Sequence, residues 1–226
     1  MNSAVWDVFS RNFIRRRYLG YEYFVPSYAL HRPAAKCLMN DSFYEPDTHA
    51  FVRDLFYGRS GSMIHAGAFY GDMIPSFAGC VSNLVCFEPV LENYVLARMC
   101  VEANKLDNVW LVHGALTDSR CNVRINYGVN EPLHRGGASK VDKVGCMSPG
   151  FMLDQFDYVD LLLIHLDVEG HELCALRGGY KTIKRFTPII MIEDMNNECA
   201  GYLSELGYGQ VRTIPGLRIY KSCVSI

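Results

Sequence analysis

From about residue 60 onward the chain alternates two patterns. Short runs rich in β-branched and other apolar residues are followed by stretches whose apolar positions recur at helical spacing. The runs Ser62–Ala66 (SMIHA), Leu84–Glu88 (LVCFE), Val109–Ala115 (VWLVHGA), Leu161–Asp167 (LLLIHLD) and Pro188–Glu193 (PIIMIE) read as five strands. The fourth is apolar almost without interruption, as expected of a strand covered on both faces. Helical stretches lie between them, the clearest at 91–104, with another at 169–176 that Gly178 and Gly179 should stop. This βαβα rhythm predicts an α/β fold whose sheet is mostly parallel, with helices on both faces. After a helix near 200–206, Gln210–Ile214 and Leu217–Lys221 flank Pro215-Gly216 and read as a terminal antiparallel pair.

Residues 1–60 carry helical patterns and many aromatics, with no repeat and no low-complexity tract. Glu45-Pro46-Asp47-Thr48 looks like a helix start leading into 49–57. The expected organisation is one compact unit: an N-terminal helical cap or lid at 1–60, packed over an edge of a core domain at 61–226.

Composition narrows the function classes. The chain has 226 residues, half of them hydrophobic, enough for a sizeable core. A net charge of −2 offers no general attraction to nucleic acid, so no nucleic-acid partner is expected. Arg11, Arg15, Arg16 and Arg17 form the one basic cluster. It reads as a solvated helix face, with an anionic partner or membrane surface as the alternative. Nine scattered cysteines form no C-x-x-C and read as free thiols of a reducing compartment, without disulfides or zinc. Residues 1–17 lack an apolar signal-peptide core, and no apolar run approaches the roughly 18 residues that span a bilayer. A soluble cytoplasmic protein is expected.

In an open parallel sheet, ligands bind at the carboxyl ends of the strands, where strand order reverses. The first end, His65-Ala66-Gly67-Ala68-Phe69-Tyr70-Gly71-Asp72, opens a helix. Gly67 lets backbone pass close to a ligand, and Gly71 lets the helix approach the strand. The second strand ends in Glu88-Pro89, and an acidic side chain there can accept both hydroxyls of a ribose. The G-x-x-x-G spacing departs from the dinucleotide fingerprint. Asp72, in the first helical turn, would repel a pyrophosphate but suits a cationic sulfonium and amino group. Adenosylmethionine is therefore favoured over NAD.

Here the sequence resembles the FkbM-type methyltransferases, a family of adenosylmethionine-dependent O-methyltransferases. HAGAFYGD at 65–72, FEPVLENY at 87–94, NVWLVHGALTD at 108–118 and LIHLDVEGHE at 163–172 carry the likeness, with PIIMIED at 188–194 a fainter fifth. The resemblance implies a Rossmann-like class I methyltransferase fold and the cofactor S-adenosylmethionine. It implies cofactor contacts from Gly67, Ala68 and Gly71, with ribose binding by Glu88. Adenine contacts fall around Gly114, Ala115 and Leu116, and Asp167 lies beside the methionine part. His65, Phe69, Asp72 and Pro89 complete the expected cofactor site. Two positions depart from the family: it usually has Asp where this chain has His65, and Lys where it has His165.

The implied acceptor is a hydroxyl of a sugar, glycan or small natural product, with the divergent segment 126–146 shaping its pocket. An alcohol needs a base or a metal to take or weaken its proton. His165 and Asp167 share one face of the fourth strand, and His171 lies just beyond. Asp167, His171 and His165 are the candidate catalytic residues. Alternatives stay open for each: an N-cap for Asp167, a helix-start residue for His171, and a histidine satisfied inside the sheet for His165. Glu193 and Asp194 add oxygen donors, so a divalent metal is an open alternative, while the metal ligands assigned are none. A methyltransferase acting on a macromolecule and a non-catalytic adenosine-nucleotide-binding protein are the competing functions.

Overall fold

The computed structural model describes residues 12–126, 140–143, 145–193 and 197–223. Its N-terminal part opens on a hairpin that the pattern did not announce. Strands β1 (Phe13–Tyr18) and β2 (Tyr21–Pro26) pair antiparallel, Phe13 opposite Pro26 and Tyr18 opposite Tyr21. Leu19 and Gly20 both take positive φ (47° and 87°), as a two-residue turn between right-twisted strands requires. Arg15, Arg16 and Arg17 therefore lie on a strand and not on the helix face expected of them. Arg15 pairs with Glu22 and Arg16 with Asp41, and three consecutive arginines hide the strand's alternation. Arg11 is outside the described residues. Helices α1 (Pro33–Met39) and α2 (Pro46–Phe56) follow, each opening on a proline whose missing N–H has no intrahelical partner to lose.

The core begins with β3 (Ser62–Ala66), α3 (Ile74–Ala78), β4 (Asn83–Glu88), α4 (Leu91–Ala103) and β5 (Val109–His113). The third run, expected as a single strand to Ala115, breaks at Gly114. A Cβ there would lie 2.5 Å from the Phe151 ring, so glycine alone lets the chain turn into a second sheet. That sheet comprises β6 (Ala115–Leu116), β7 (Asn122–Asn126), β8 (Lys140–Asp142) and β9 (Cys146–Phe151) in the order β6-β9-β7-β8. Most of the segment expected to shape the acceptor pocket, 127–139 and 144, lies outside the described residues.

The chain then returns through β10 (Leu161–Leu166), α5 (Glu172–Arg177), α6 (Tyr180–Phe186), β11 (Ile189–Ile192), α7 (Glu198–Glu205), β12 (Tyr208–Ile214) and β13 (Leu217–Ser222). Gly178 ends α5 as anticipated, but α6 starts directly after Gly179. Asp154 holds its start by accepting from the Lys181 and Thr182 N–H groups at 3.0 and 2.7 Å.

The main sheet has seven strands in the order β12-β13-β11-β10-β3-β4-β5. Strands β11, β10, β3, β4 and β5 run parallel, and β13 pairs antiparallel with both β11 and β12. Chain order reverses between β3 and β10, which is the switch point where such sheets hold ligands. The period-two alternation divides the core. Met63, Leu84, Leu163 and Met191 meet Val52, Phe77 and Ala97 of α2, α3 and α4. Ile64, Val85, Ile164 and Ile190 meet Ala175, Ile183 and Leu203 of α5, α6 and α7. The fold is thus a three-layer α/β/α sandwich, Rossmann-like as anticipated.

The hairpin is bound to this core through α4. Tyr23 and Val25 pack on Leu96 and Cys100, while the Asn104 amide accepts from the Glu22 N–H and donates to the Glu22 carbonyl, both at 2.7 Å. All nine cysteines are free thiols. Titration of the unfolded protein without reductant should therefore count nine, and fewer in fresh material would contradict that assignment. Among the described residues no helix is long and apolar enough to cross a membrane.

Candidate functional site

The carboxyl ends of β3, β4 and β10 interlock tightly. The Asp167 N–H donates to the Ala66 carbonyl at 3.1 Å, and the Gly67 and Ala68 N–H groups both donate to the Phe87 carbonyl at 3.1 Å. Gly67 has φ +90°, and a Cβ on it would fall 1.8 Å from the Asp167 carbonyl oxygen. Gly67, expected to bring backbone close to a ligand, has the Asp167 backbone as its neighbour in the structure, and the strand ends cannot meet with any larger residue there. Gly71 (φ +89°) works against a different neighbour than expected, because its Cβ would lie 3.1 Å from Ala97 Cα of α4.

Above this junction lies a cavity of about 300 Å³. Of the expected site residues, His65, Gly67, Phe69, Asp72, Glu88, Pro89, Gly114, Ala115, Leu116, Asp167 and His171 line it. Ala68 is buried beside it, Gly71 supports it from behind, and His165 stands behind His65. Residues the motifs did not single out complete the wall: Arg32, Tyr44 and Glu45 from the N-terminal part, Asn93 from α4, and Ile125 and Val141 from the small sheet. The one available signal was Glu45 beside Pro46, read only as a helix start. Three non-glycine wall residues take the left-handed conformation, Glu45 (φ 50°), Phe69 (φ 47°) and Glu169 (φ 56°). Such backbone strain concentrates where surrounding structure over-determines a binding surface.

Glu88 is the organising side chain. One carboxylate oxygen accepts from the Phe69 N–H at 2.8 Å and the other from the Val90 N–H at 2.9 Å, with the Asn93 amide at 3.4 Å. These bonds favour the ionised form, yet burial outweighs them and pushes Glu88 up to about 7. Burial likewise raises Asp72 to about 7. Asp167 is held well above the usual carboxylate range, first by burial and then by Glu193, Glu45, Glu169 and Glu172. The wall is strongly acidic, with six carboxylates against the single guanidinium of Arg32 among the described residues.

The N-cap alternative for Asp167 does not survive. Helix α5 starts at Glu172 with His171 in the cap position, because Glu169 and Gly170 have positive φ. One Glu172 oxygen accepts from the Val168 and Gly170 N–H groups at 3.0 and 3.2 Å, leaving Asp167 free of that structural duty. His171 borders the cavity, and burial lowers its pKa against the opposing pull of Asp118, which favours the neutral imidazole.

His65 and His165 sit opposite one another on β3 and β10. Their rings stack at 4.9 Å with 5° between planes, and the two Nδ1 atoms are 3.0 Å apart. One Nδ1 must donate and the other accept, so the pair holds opposite tautomers. Burial keeps both neutral, with His165 lowered to about 3. A hydrogen-bonded neutral pair thus occupies the two positions at which the resemblance implied Asp and Lys. His165 Nε2 is buried without a partner among the described residues. Also among the described residues, no group of three or more His, Cys, Asp or Glu side chains is arranged to hold a metal ion, and Asp194 falls outside them.

The family model described as the methyltransferase FkbM domain matches residues 80–208, more than half of the chain. Among solved structures, the chain is similar to a methyltransferase FkbM from Methylobacillus flagellatus KT, with 16% identity and a TM-score of 0.52 over 97% of this chain and 58% of that one. It is also similar to the Pyrococcus abyssi tRNA (uracil-54, C5)-methyltransferase in complex with S-adenosyl-L-homocysteine, at 14% identity and a TM-score of 0.51, covering 93% of this chain and 44% of that one. At these identities the likeness is one of fold. The chain spans 58% of the length of the first structure and 44% of the second. No curated protein matches the sequence.

Proposed function

The chain belongs to the FkbM methyltransferase family, and from that premise we propose that its cavity binds S-adenosylmethionine. The reaction proposed is transfer of the methyl group to a hydroxyl oxygen of a sugar, glycan or small natural product. The observation that carries the reading is the cluster of buried, charge-starved carboxylates at the switch point. A cofactor with a sulfonium and an ammonium offsets the excess of negative charge on this wall.

Each expected residue then has a task. Glu88 accepts the ribose hydroxyls through lone pairs not used by the Phe69 and Val90 N–H groups. Pro89, Gly114, Ala115 and Leu116 flank the adenine. Gly67, Ala68, Phe69 and Asp72 border the methionine part, with His65 beneath. S-adenosylmethionine supplies, when bound, an electrophilic methyl group open to in-line attack. The protein's work is to hold the acceptor oxygen in line, exclude water and receive a proton. Asp167 is the proposed proton acceptor, and neutral His171 at the cavity edge is the second candidate. His165 acts only through His65. The acceptor then shares with the cofactor a cavity of about 300 Å³ whose lining includes Glu45, Glu169 and Glu193. That acidic lining supports a neutral acceptor over a polyanionic one.

Binding should release protons. Asp72 and Glu88 titrate near 7 and are partly protonated at neutral pH, while a cation and hydroxyl donors favour their ionised forms. Affinity is therefore expected to tighten as pH rises from 6 to 8. Calorimetry in buffers of different ionisation enthalpy should report net proton release, and net uptake would refute the assignment. Glu88→Ala should weaken cofactor binding by roughly 1.5–3 kcal/mol for each lost bond to the charged acceptor. Turnover with a methyl-labelled cofactor on a panel of sugars and hydroxylated small molecules tests the acceptor class.

A further inference from the structure

Six carboxylates line the cavity, from Glu45, Asp72, Glu88, Asp167, Glu169 and Glu193. Among the described residues its wall holds a single Lys or Arg side chain, Arg32. The ion pairs found among the described residues lie elsewhere: Arg15–Glu22, Arg16–Asp41, Arg53–Asp54 and Arg98–Glu102. Arg32 shares an enclosure with six carboxylates and is paired with none of them.

Its position is fixed from several directions. The Arg32 N–H donates to the Ala29 carbonyl at 2.9 Å, and its own carbonyl accepts from the Lys36 N–H at 2.9 Å. The helix it precedes buries Ala34, Ala35 and Leu38 in a cluster with Tyr70 and Leu96, and Ala34 also lines the cavity. Just upstream, the Tyr28 hydroxyl donates to Asn93 Oδ1 at 2.8 Å, and the Asn93 amide reaches Glu88. The cap segment is thereby tied to the side chain proposed to hold the ribose. A half-buried arginine on so anchored a backbone offers the planar donor fork that suits a planar anion.

On the reading of this cavity as the S-adenosylmethionine site, we propose that Arg32 binds the α-carboxylate of the cofactor's methionine part. The cofactor carries two cationic centres and one carboxylate, and the wall mirrors it with carboxylates and one guanidinium. Among the described residues every other charged side chain on this wall is a carboxylate, so no second position offers the ligand carboxylate a countercharge. Arg32 thus fixes which way the methionine end lies, and so where the methyl group points.

Calorimetry with S-adenosylmethionine and its decarboxylated analogue, which keeps the sulfonium and the amine, tests this directly. The parent should bind the full cofactor about 10–100-fold more tightly than the analogue, the strength of a charge-assisted bidentate contact. Arg32→Gln should lose that preference, leave analogue affinity within about twofold and keep the parent melting temperature. Arg32→Lys should restore part of the preference, since it returns the charge without the fork. An Arg32→Gln protein that still discriminates the two ligands overturns the proposal. So does one that weakens both equally, or one in which only the KM of an anionic acceptor rises, which would assign Arg32 to the acceptor. A parent protein that binds neither ligand overturns the reading of the cavity itself, and this inference with it.

Discussion

Asp167→Asn is expected to lose methyl transfer by about 10²–10⁴-fold, the usual contribution of a positioned proton acceptor, while folding at least as stably as the parent. The two effects have one origin. The Asp167 carboxylate is enclosed at the end of β10 and meets the negative fields of Glu193, Glu45, Glu169 and Glu172. Its backbone N–H to the Ala66 carbonyl and its place in the chain do not depend on the side-chain charge. Asparagine keeps the shape and removes the repulsion. The sign follows from linkage. A carboxyl whose folded pKa is raised costs no stability below its unfolded value near 3.9, and costs progressively more as pH climbs through the folded value. The variant's advantage should therefore vanish near pH 4 and grow toward pH 8. There a gain of about 1 kcal/mol would raise Tm by some 2–4 °C for a chain of this size. Thermal melts across pH and initial rates with saturating cofactor measure both halves. A variant that melts lower at pH 8, or turns over near the parental rate, contradicts the role given to this residue.

The places where sequence reading succeeded and failed divide along physical lines. The buried parallel strands were legible because both faces are covered: LLLIHL and SMIHA carry almost no polar residue, and β3 and β10 start where expected. Their ends were legible because a carboxylate or glycine after an apolar strand is anomalous, and so Gly67, Glu88 and Asp167 stood out. The hairpin was not, since β1 carries three arginines in a row across both of its faces and β2 buries Tyr23 to Pro26 consecutively, so neither strand shows a period of two in sequence. The break at Gly114 depends on the approach of Phe151 from 37 positions later, which no local pattern encodes. The wall contributed by Arg32, Tyr44 and Glu45 follows from how the cap segment docks. Its single local trace in sequence is Glu45 beside Pro46, which the structure places in the left-handed conformation ahead of α2. The late start of α5 has a similar cause: the anticipated helix from Glu169 gives way to two positive-φ residues, which frees Asp167 from capping.

Gly67→Ala should be the most destabilising single-methyl change at the site, at ~4 kcal/mol or more. Two costs combine there, and a second glycine separates them. Gly67 and Gly170 have nearly the same φ, +90° and +92°, so alanine meets similar backbone strain of roughly 1–2 kcal/mol at either position. Around Gly170 nothing lies within 4 Å of the added Cβ, whereas at Gly67 it would sit 1.8 Å from the Asp167 carbonyl oxygen and 2.9 Å from the carbonyl carbon. Both atoms are backbone, held where the Asp167 N–H donates to Ala66 and the Gly67 N–H donates to Phe87, so no rotamer can yield. Relief requires β3 and β10 to part at their carboxyl ends, in the layer where Ile64, Ala66, Ile164 and Leu166 pack. Denaturant unfolding of Gly67→Ala, Gly170→Ala and the parent reads the difference. Gly170→Ala should retain its denaturation midpoint to within the φ penalty, while Gly67→Ala falls far below it. Any Gly67→Ala protein that does fold has shifted Asp167, and its cofactor affinity should fall with its stability. Equal midpoints for the two variants would mean that the strand ends yield freely, and the interlock of β3 with β10 would then not be what positions Asp167.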